Sequence, residues 1–290
     1  MALRRQARYM LGAMKRLAFL FAVLLAAAPA VAQQTPSRTQ TPAQSAPRGA
    51  GIVRPLPPLA VAPAAETEYR DCLARAAQQP AIAYEDAMGW ARARGGGEPA
   101  LHCAAVALFN RGEFRQAAQA FADLAGRYRD RRTLVRASLV AQAGHAWLAA
   151  DDPARARAAF GSALEIAPDV ATFWIDRAEA LAADKKYWEA IDDLNRAADL
   201  DATRGDIYAF RAAAYRRVEA LDLALEDAER AVRLAPRMPE AWLERGILKQ
   251  LKGDKDGARR DWRETLLIDP EGAAADAARA QIERMELGVR

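Results

Sequence analysis

Residues 171–204 (ATFWIDRAEALAADKKYWEAIDDLNRAADLDATR) and 205–238 (GDIYAFRAAAYRRVEALDLALEDAERAVRLAPRM) are successive copies of one 34-residue pattern. Their alignment places an aromatic residue at position four of each copy, and the series runs from Trp174 through Tyr208 to Trp242. The same frame extends back to residue 137 and forward to residue 272. The sequence therefore predicts four consecutive repeats.

Small residues occupy two further positions of this frame. Position eight holds Gly144, Ala178, Ala212 and Gly246. Position twenty holds Ala156, Ala190, Ala224 and Ala258. Two antiparallel helices of about 14 residues pack closely only where the side chains at their crossing are small. Larger residues at positions four, eleven and twenty-four would fill the space beside the crossing.

Proline recurs at position thirty-two, in Pro168, Pro236 and Pro270. Proline cannot continue a helical hydrogen-bond ladder, so it marks the end of the second helix in three of the four copies; the copy at 171–204 has Ala202 at this position. The frame thus predicts a helix pair in every repeat. The alternative is an alanine-rich helical bundle whose periodicity is accidental.

The pattern resembles the tetratricopeptide repeat, a 34-residue unit of two antiparallel helices. The resemblance implies an all-α fold, a right-handed superhelix of helix pairs (an α–α solenoid) with a C-terminal capping helix. It also implies a concave groove, lined by positions two, five, nine, twelve and thirteen of the first helices, where a partner peptide binds. The groove residues predicted on this basis are His102, Phe109, Asn110, His145, Ile175, Glu179, Arg216, Arg217, Leu243 and Gln250.

One known binding mode of this family does not match. Members that hold chaperone C-terminal carboxylates use a basic residue at position five and Asn at position nine of an early repeat. Here those positions hold Ala141 with His145 and Ile175 with Glu179. An extended or helical peptide with apolar anchors fits these residues better.

The ends of the array match the frame less well, as terminal units do when one side faces water. Five extra residues precede the first regular repeat, in a basic loop from Arg127 to Arg132 that is either solvated or a docking point for an acidic partner. The predicted units are a degenerate helical pair at 66–97, a repeat-like unit at 98–136, repeats at 137–170, 171–204, 205–238 and 239–272, and a capping helix at 273–290.

The N-terminus has the layout of a secretory signal peptide. Lys15 and Arg16 precede an apolar run of 12 residues, and cleavage after Ala32 would follow a small-residue site. Such a run is short for a membrane span, which needs about 20 residues. We expect an exported, periplasmic protein with its signal at 1–32 and translation from Met1 or Met14; the alternative is an uncleaved anchor in the inner membrane, facing the periplasm.

Residues 33–65 are rich in proline, and few of their side chains could offset the entropy of ordering. We interpret this stretch as a disordered linker. Residues 1–65 hold eight of the 42 basic residues and no acid, which leaves 34 basic against 38 acidic residues beyond them. This balance excludes the basic surface that nucleic-acid binding requires.

Cys72 and Cys103 are the two cysteines of the chain. In an exported protein they favour a disulfide, and they fall on the first helices of consecutive units, which stack side by side. The alternative is a pair of small buried thiols. Closing a loop of this length would stabilise the irregular end of the array by roughly 3–4 kcal/mol.

The sequence predicts no enzyme, cofactor or metal. Neither histidine has a second ligand at metal spacing, which argues against zinc, and no phosphate loop or nucleophile elbow is present. We therefore expect an adaptor that binds a protein or peptide partner in the cell envelope. The alternatives are an assembly factor acting by self-association or through its convex face, and a subunit of an enzyme complex.

Overall fold

The structure, a computed structural model, describes residues 63–93, 96–129 and 133–287. The predicted signal peptide, nearly all of the predicted linker, and Arg131 and Arg132 of the basic loop lie outside these ranges. The described residues form thirteen helices and no strand, which confirms the predicted all-α fold. None of these helices is long and apolar enough to cross a membrane.

The helices follow one another in antiparallel pairs. The bounds are α1 Pro63–Gln78, α2 Pro80–Ala93, α3 Gly97–Asn110, α4 Phe114–Gly126, α5 Leu134–Ala149, α6 Pro153–Ile166, α7 Ala171–Ala183, α8 Tyr187–Leu200, α9 Gly205–Arg217, α10 Leu221–Leu234, α11 Pro239–Leu251, α12 Lys255–Ile268 and α13 Ala273–Glu286. Helices α7, α9 and α11 begin at position one of the 34-residue frame, and α6, α8, α10 and α12 begin at position seventeen.

Helix α5 begins three residues before the frame does. The reason is local: the Thr133 side chain accepts a hydrogen bond from the Arg136 backbone N–H and caps the helix at that point. Asp152 caps α6 in the same way, ahead of Pro153 at the first helical position.

The two helices of a pair join through a turn at position fifteen of the frame. The backbone there is left-handed in every unit, with φ of 60° at Asp151, 61° at Lys185, 62° at Glu219 and 91° at Gly253. A left-handed backbone is unfavourable for residues other than glycine, so the packing of the two helices holds Asp151, Lys185 and Glu219 in this conformation.

Within a pair, the small residue at position eight faces the residue at position twenty-four. A Cβ added to Gly144 would lie 2.6 Å from the Phe160 ring, and one added to Gly246 would lie 2.4 Å from the Trp262 ring. Where position eight is alanine, position twenty-four is smaller, as in Ala178 with Leu194. Glycine at position eight therefore makes room for an aromatic ring at position twenty-four.

Position-four aromatics tie each pair to the one before it. Trp174 Nε1 donates to the Pro168 carbonyl at 2.8 Å, and Trp242 Nε1 donates to the Pro236 carbonyl at 2.9 Å. The Tyr208 hydroxyl donates to the Ala202 carbonyl at 3.2 Å. The aromatic spacing seen in the sequence thus corresponds to one repeated contact between units.

The curvature of the array places the first helices on its inner side. Helices α5, α7, α9 and α11 contact one another in succession, whereas the second helices α6, α8, α10 and α12 make no comparable contacts among themselves. At the C-terminal end, α13 covers Leu243, Ile247 and Trp262. At the N-terminal end, a disulfide joins Cys72 of α1 to Cys103 of α3, with 6.2 Å between their Cα atoms.

Candidate functional site

Half of the predicted groove residues are buried and cannot line an open groove. The exposed fraction is 5% or less at His102, Phe109, His145, Ile175 and Leu243. Consecutive first helices pack so closely that these side chains contact the neighbouring helix instead of solvent. The assignment of these five residues to a partner-binding surface is therefore wrong in this structure.

The remaining predicted residues keep part of their surface. Glu179, Arg217 and Gln250 are half-buried on the inner side, whereas Asn110 donates to the Ala76 carbonyl at 3.0 Å and holds α3 against α1. Glu179, Arg217 and Gln250 lie in the last two turns of α7, α9 and α11. We call these three residues the inner rim.

Arg216, beside the inner rim, is engaged inside the protein. Its guanidinium forms two hydrogen bonds with the carboxylate of Glu244 on α11, at 2.5 and 3.2 Å, and the Glu244 side chain has no exposed surface. Burial opposes the charge of this guanidinium, but attraction and hydrogen bonding from Glu244 outweigh it and raise the pKa of Arg216. This buried pair joins two consecutive repeats.

Arg217 presents a different environment. Its guanidinium lies 5.2 Å from the centre of the Tyr187 ring at the start of α8. A cation over an aromatic face offers charge and a flat apolar surface at one place. Because Arg217 is half-buried, a partner could contact both features without the unfolding of any helix.

A second repeated contact, between position seven and position twenty-three, was missed by the sequence analysis. Each pair of side chains forms two hydrogen bonds of 2.7–2.8 Å: Arg177 with Asp193, Arg211 with Asp227, and Arg245 with Asp261. Each Arg also lies over the position-four ring of its own helix, at 4.6–5.3 Å. The signal was available, since Arg and Asp recur with the 34-residue period.

A buried polar chain links the first helices at the N-terminal end. The Tyr69 hydroxyl lies 2.6 Å from His102 Nδ1, and His102 Nε2 lies 3.0 Å from Gln142 Oε1. Burial lowers the pKa of His102 to about 4, although the hydrogen bond that Gln142 Oε1 accepts from His102 Nε2 acts in the opposite direction. The imidazole is therefore neutral at pH 7 and serves as a bridge between α1 and α5.

His145 lies beside two carboxylates that are distant from it in the sequence. Asp176 and Glu179 of α7 lie beside it, so that one ligand atom from each of the three residues is within 4.8 Å of the others. The sequence prediction had found no second ligand near this histidine, because the ligands come from the adjacent repeat.

In the described part of the chain, neither cysteine is free and both histidines are buried.

Comparison with known proteins agrees with the repeat architecture. The sequence profile of the tetratricopeptide repeat family matches residues 211–283. A search of curated proteins gave no match. The family match and the helix-pair fold confirm the predicted tetratricopeptide-repeat architecture.

Several solved structures share the fold at low identity. MamA 41-end from Desulfovibrio magneticus RS-1 is 18% identical with a TM-score of 0.50, over 60% of this chain and 95% of that one. The APC/C hetero-tetramer Cut9–Hcn1 is 18% identical with a TM-score of 0.50, over 71% of this chain and 38% of that one. YrrB, described as a TPR protein with an unusual peptide-binding site, is 16% identical with a TM-score of 0.46, over 63% and 90%.

Proposed function

We propose that this protein is a non-enzymatic adaptor of the cell envelope that binds a segment of a partner protein on the inner rim. The observation that carries the proposal is the contrast along the inner side of the array. Its floor is closed by packing, while Glu179, Arg217 and Gln250 stay accessible on three consecutive repeats. The repeat fold is an interaction scaffold in its structural neighbours, which supports this role.

The rim is suited to this task because its supports are rigid. Helices α7, α9 and α11 are each held to the second helix of their pair by an Arg–Asp contact, and α9 is held to α11 by Arg216 with Glu244. Side chains presented on a fixed framework lose less entropy when a partner binds. The mixture of Glu179, Arg217 with Tyr187, and Gln250 favours a partner segment that combines charge with an aromatic or apolar anchor.

Export to the periplasm is a second part of the proposal. The N-terminal sequence pattern supports it, and so does the Cys72–Cys103 disulfide, because disulfides persist in oxidising compartments. Cell fractionation with N-terminal sequencing tests this: we expect a soluble periplasmic protein that begins at Gln33. A membrane-bound protein that retains its N-terminus would support the anchored alternative.

Site-specific photocrosslinking in intact cells tests the binding surface. A photoreactive residue at Arg217 or Gln250 should give a discrete adduct with one partner, and the same residue at Arg196 of α8, whose side chain is 70% exposed, should not. Arg217→Glu should weaken recovery of that partner, whereas Arg233→Glu, the same charge change at a more exposed residue of α10, serves as the control. We avoid Arg216 because its loss would leave Glu244 buried and unpaired.

One observation favours the alternative of an outer-face or self-associating assembly factor. Trp188, Leu223 and Leu267 on the second helices have exposed fractions of 62%, 49% and 75%. Adducts formed only from second-helix positions would replace the inner-rim proposal with a convex-face one. Adducts between two copies of this chain would indicate self-association.

A further inference from the structure

His145, Asp176 and Glu179 form a compact group at the join between two repeats. His145 lies on α5 and both carboxylates lie on α7, one helical turn apart, so all three converge on one point. His145 Nε2 is 3.3 Å from Asp176 Oδ2. The exposed fraction is 5% at His145 and 1% at Asp176, while Glu179 is half-buried at the solvent side.

One of these separations matches that of two ligands around a small divalent ion. Zinc binds imidazole nitrogen and carboxylate oxygen at about 2.0–2.2 Å, so two ligands of a tetrahedral site lie about 3.4 Å apart. The nitrogen-to-oxygen distance between His145 and Asp176 already has this value. The half-buried Glu179 side chain can complete the set, and the solvent side leaves a fourth position for water.

We propose that His145, Asp176 and Glu179 bind one Zn²⁺ ion. One imidazole and two carboxylates match its preference for mixed nitrogen and oxygen ligands, and the two carboxylate charges balance the ion. Ca²⁺ and Mg²⁺ prefer oxygen ligands and larger ligand numbers, so they should not compete. The disulfide removes Cys72 and Cys103 as rival thiolate ligands.

One positive charge that acts on this group is bound elsewhere. Arg204 interacts electrostatically with Asp176, but its guanidinium is bound to Asp206 at 2.6 Å and to the Thr172 hydroxyl at 2.7 Å. Since its ligands come from α5 and α7, the ion would tie two consecutive repeats together beside the inner rim.

Calorimetric titration of the full chain, without an affinity tag and after treatment with a chelator, tests the site. With disulfide-intact protein we expect saturable binding of one Zn²⁺ per chain, confirmed by native mass spectrometry, and no binding of Mg²⁺. Glu179→Gln should weaken Zn²⁺ binding by at least tenfold, because even the loss of an outer-shell partner typically costs about 10–100-fold. Glu165→Gln, an exposed carboxylate on α6, should leave the affinity unchanged.

The simpler alternative is an ion pair between His145 and Asp176 that binds no metal. It predicts no saturable Zn²⁺ uptake, and that result would overturn the proposal. Equal Zn²⁺ affinity in Glu179→Gln and in the unchanged protein would overturn it as well. Glu179 is half-buried, so Glu179→Gln should leave the fold intact. The test therefore stays valid even if His145→Gln fails to fold. No partner protein is needed, so failure here leaves the inner-rim proposal untouched.

Discussion

Gly144→Ala tests the packing rule on which the fold depends. The new methyl group would lie 2.6–2.9 Å from three carbons of the Phe160 ring, and that ring has no exposed surface into which it could move. Overpacking of this kind costs about 1–3 kcal/mol. Replacement of a helical glycine by alanine returns about 0.5–1 kcal/mol. We therefore expect a net loss of roughly 1–2 kcal/mol in the free energy of unfolding.

Gly161→Ala on α6 is the matched control, because an added Cβ there meets no atom within 4 Å. It should stabilise the protein by about 0.5–1 kcal/mol through the helix term alone. The double substitution Gly144→Ala with Phe160→Leu copies the natural combination of Ala178 and Leu194. It should recover stability beyond the sum of its two single effects, by about 1–2 kcal/mol.

Urea unfolding of the oxidised protein, followed by circular dichroism, measures these differences. The dependence of the unfolding free energy on urea should stay the same among the variants, since a change would mean that the array no longer unfolds as one unit. If Gly144→Ala is as stabilising as Gly161→Ala, the ring contact does not limit packing. Strict additivity in the double variant would refute the pairing of positions eight and twenty-four.

Two further predictions concern buried charges. Glu244→Ala leaves the Arg216 guanidinium buried without its partner and should lower the free energy of unfolding by about 3–5 kcal/mol. Asp276→Ala breaks an exposed ion pair and should lower it by less than about 1 kcal/mol. Thermal melts compare the two variants. Acidification should destabilise the N-terminal end of the array, because the pKa of His102 falls from 6.5 to about 4 on folding. The contribution of His102 to stability is full above pH 6.5. It is lost as pH falls towards 4, by up to roughly 3 kcal/mol. The pH dependence of stability at Glu240 has the opposite sign. Burial, and to a smaller extent the charge of Asp269, raise the pKa of Glu240 from 4.5 to about 7. The contribution of Glu240 to stability is therefore full below pH 4.5 and is lost as pH rises through 7. Hydrogen exchange between pH 4 and 7.5 should show amide protection rising with pH in α3 and falling in α11. A falling trend in α3 would contradict the His102 assignment, and a rising trend in α11 would contradict the Glu240 assignment.

Periodicity alone located most of the helix boundaries. Positions one and seventeen of the frame begin helices because the 34-residue period sets both helices and both turns of a unit. The small residues at position eight correctly indicated a close contact between the two helices, but the sequence did not show which residue packs against them. The structure shows that Gly144 accommodates Phe160 at position twenty-four, whereas the sequence pattern predicts that ring beside the crossing.

The sequence by itself determined the repeat and the helix pairs, because these follow from spacing along the chain. Only the tertiary structure decided which inner residues reach solvent: Ile175 and Leu243 occupy the same frame position that lines an open groove in the family, yet both are fully buried. The physical reason is that a period fixes the face on which a side chain lies, while exposure depends on how closely the next helix approaches. The tertiary structure likewise decided the proximity of His145 to Asp176 and Glu179, because these residues come from different repeats.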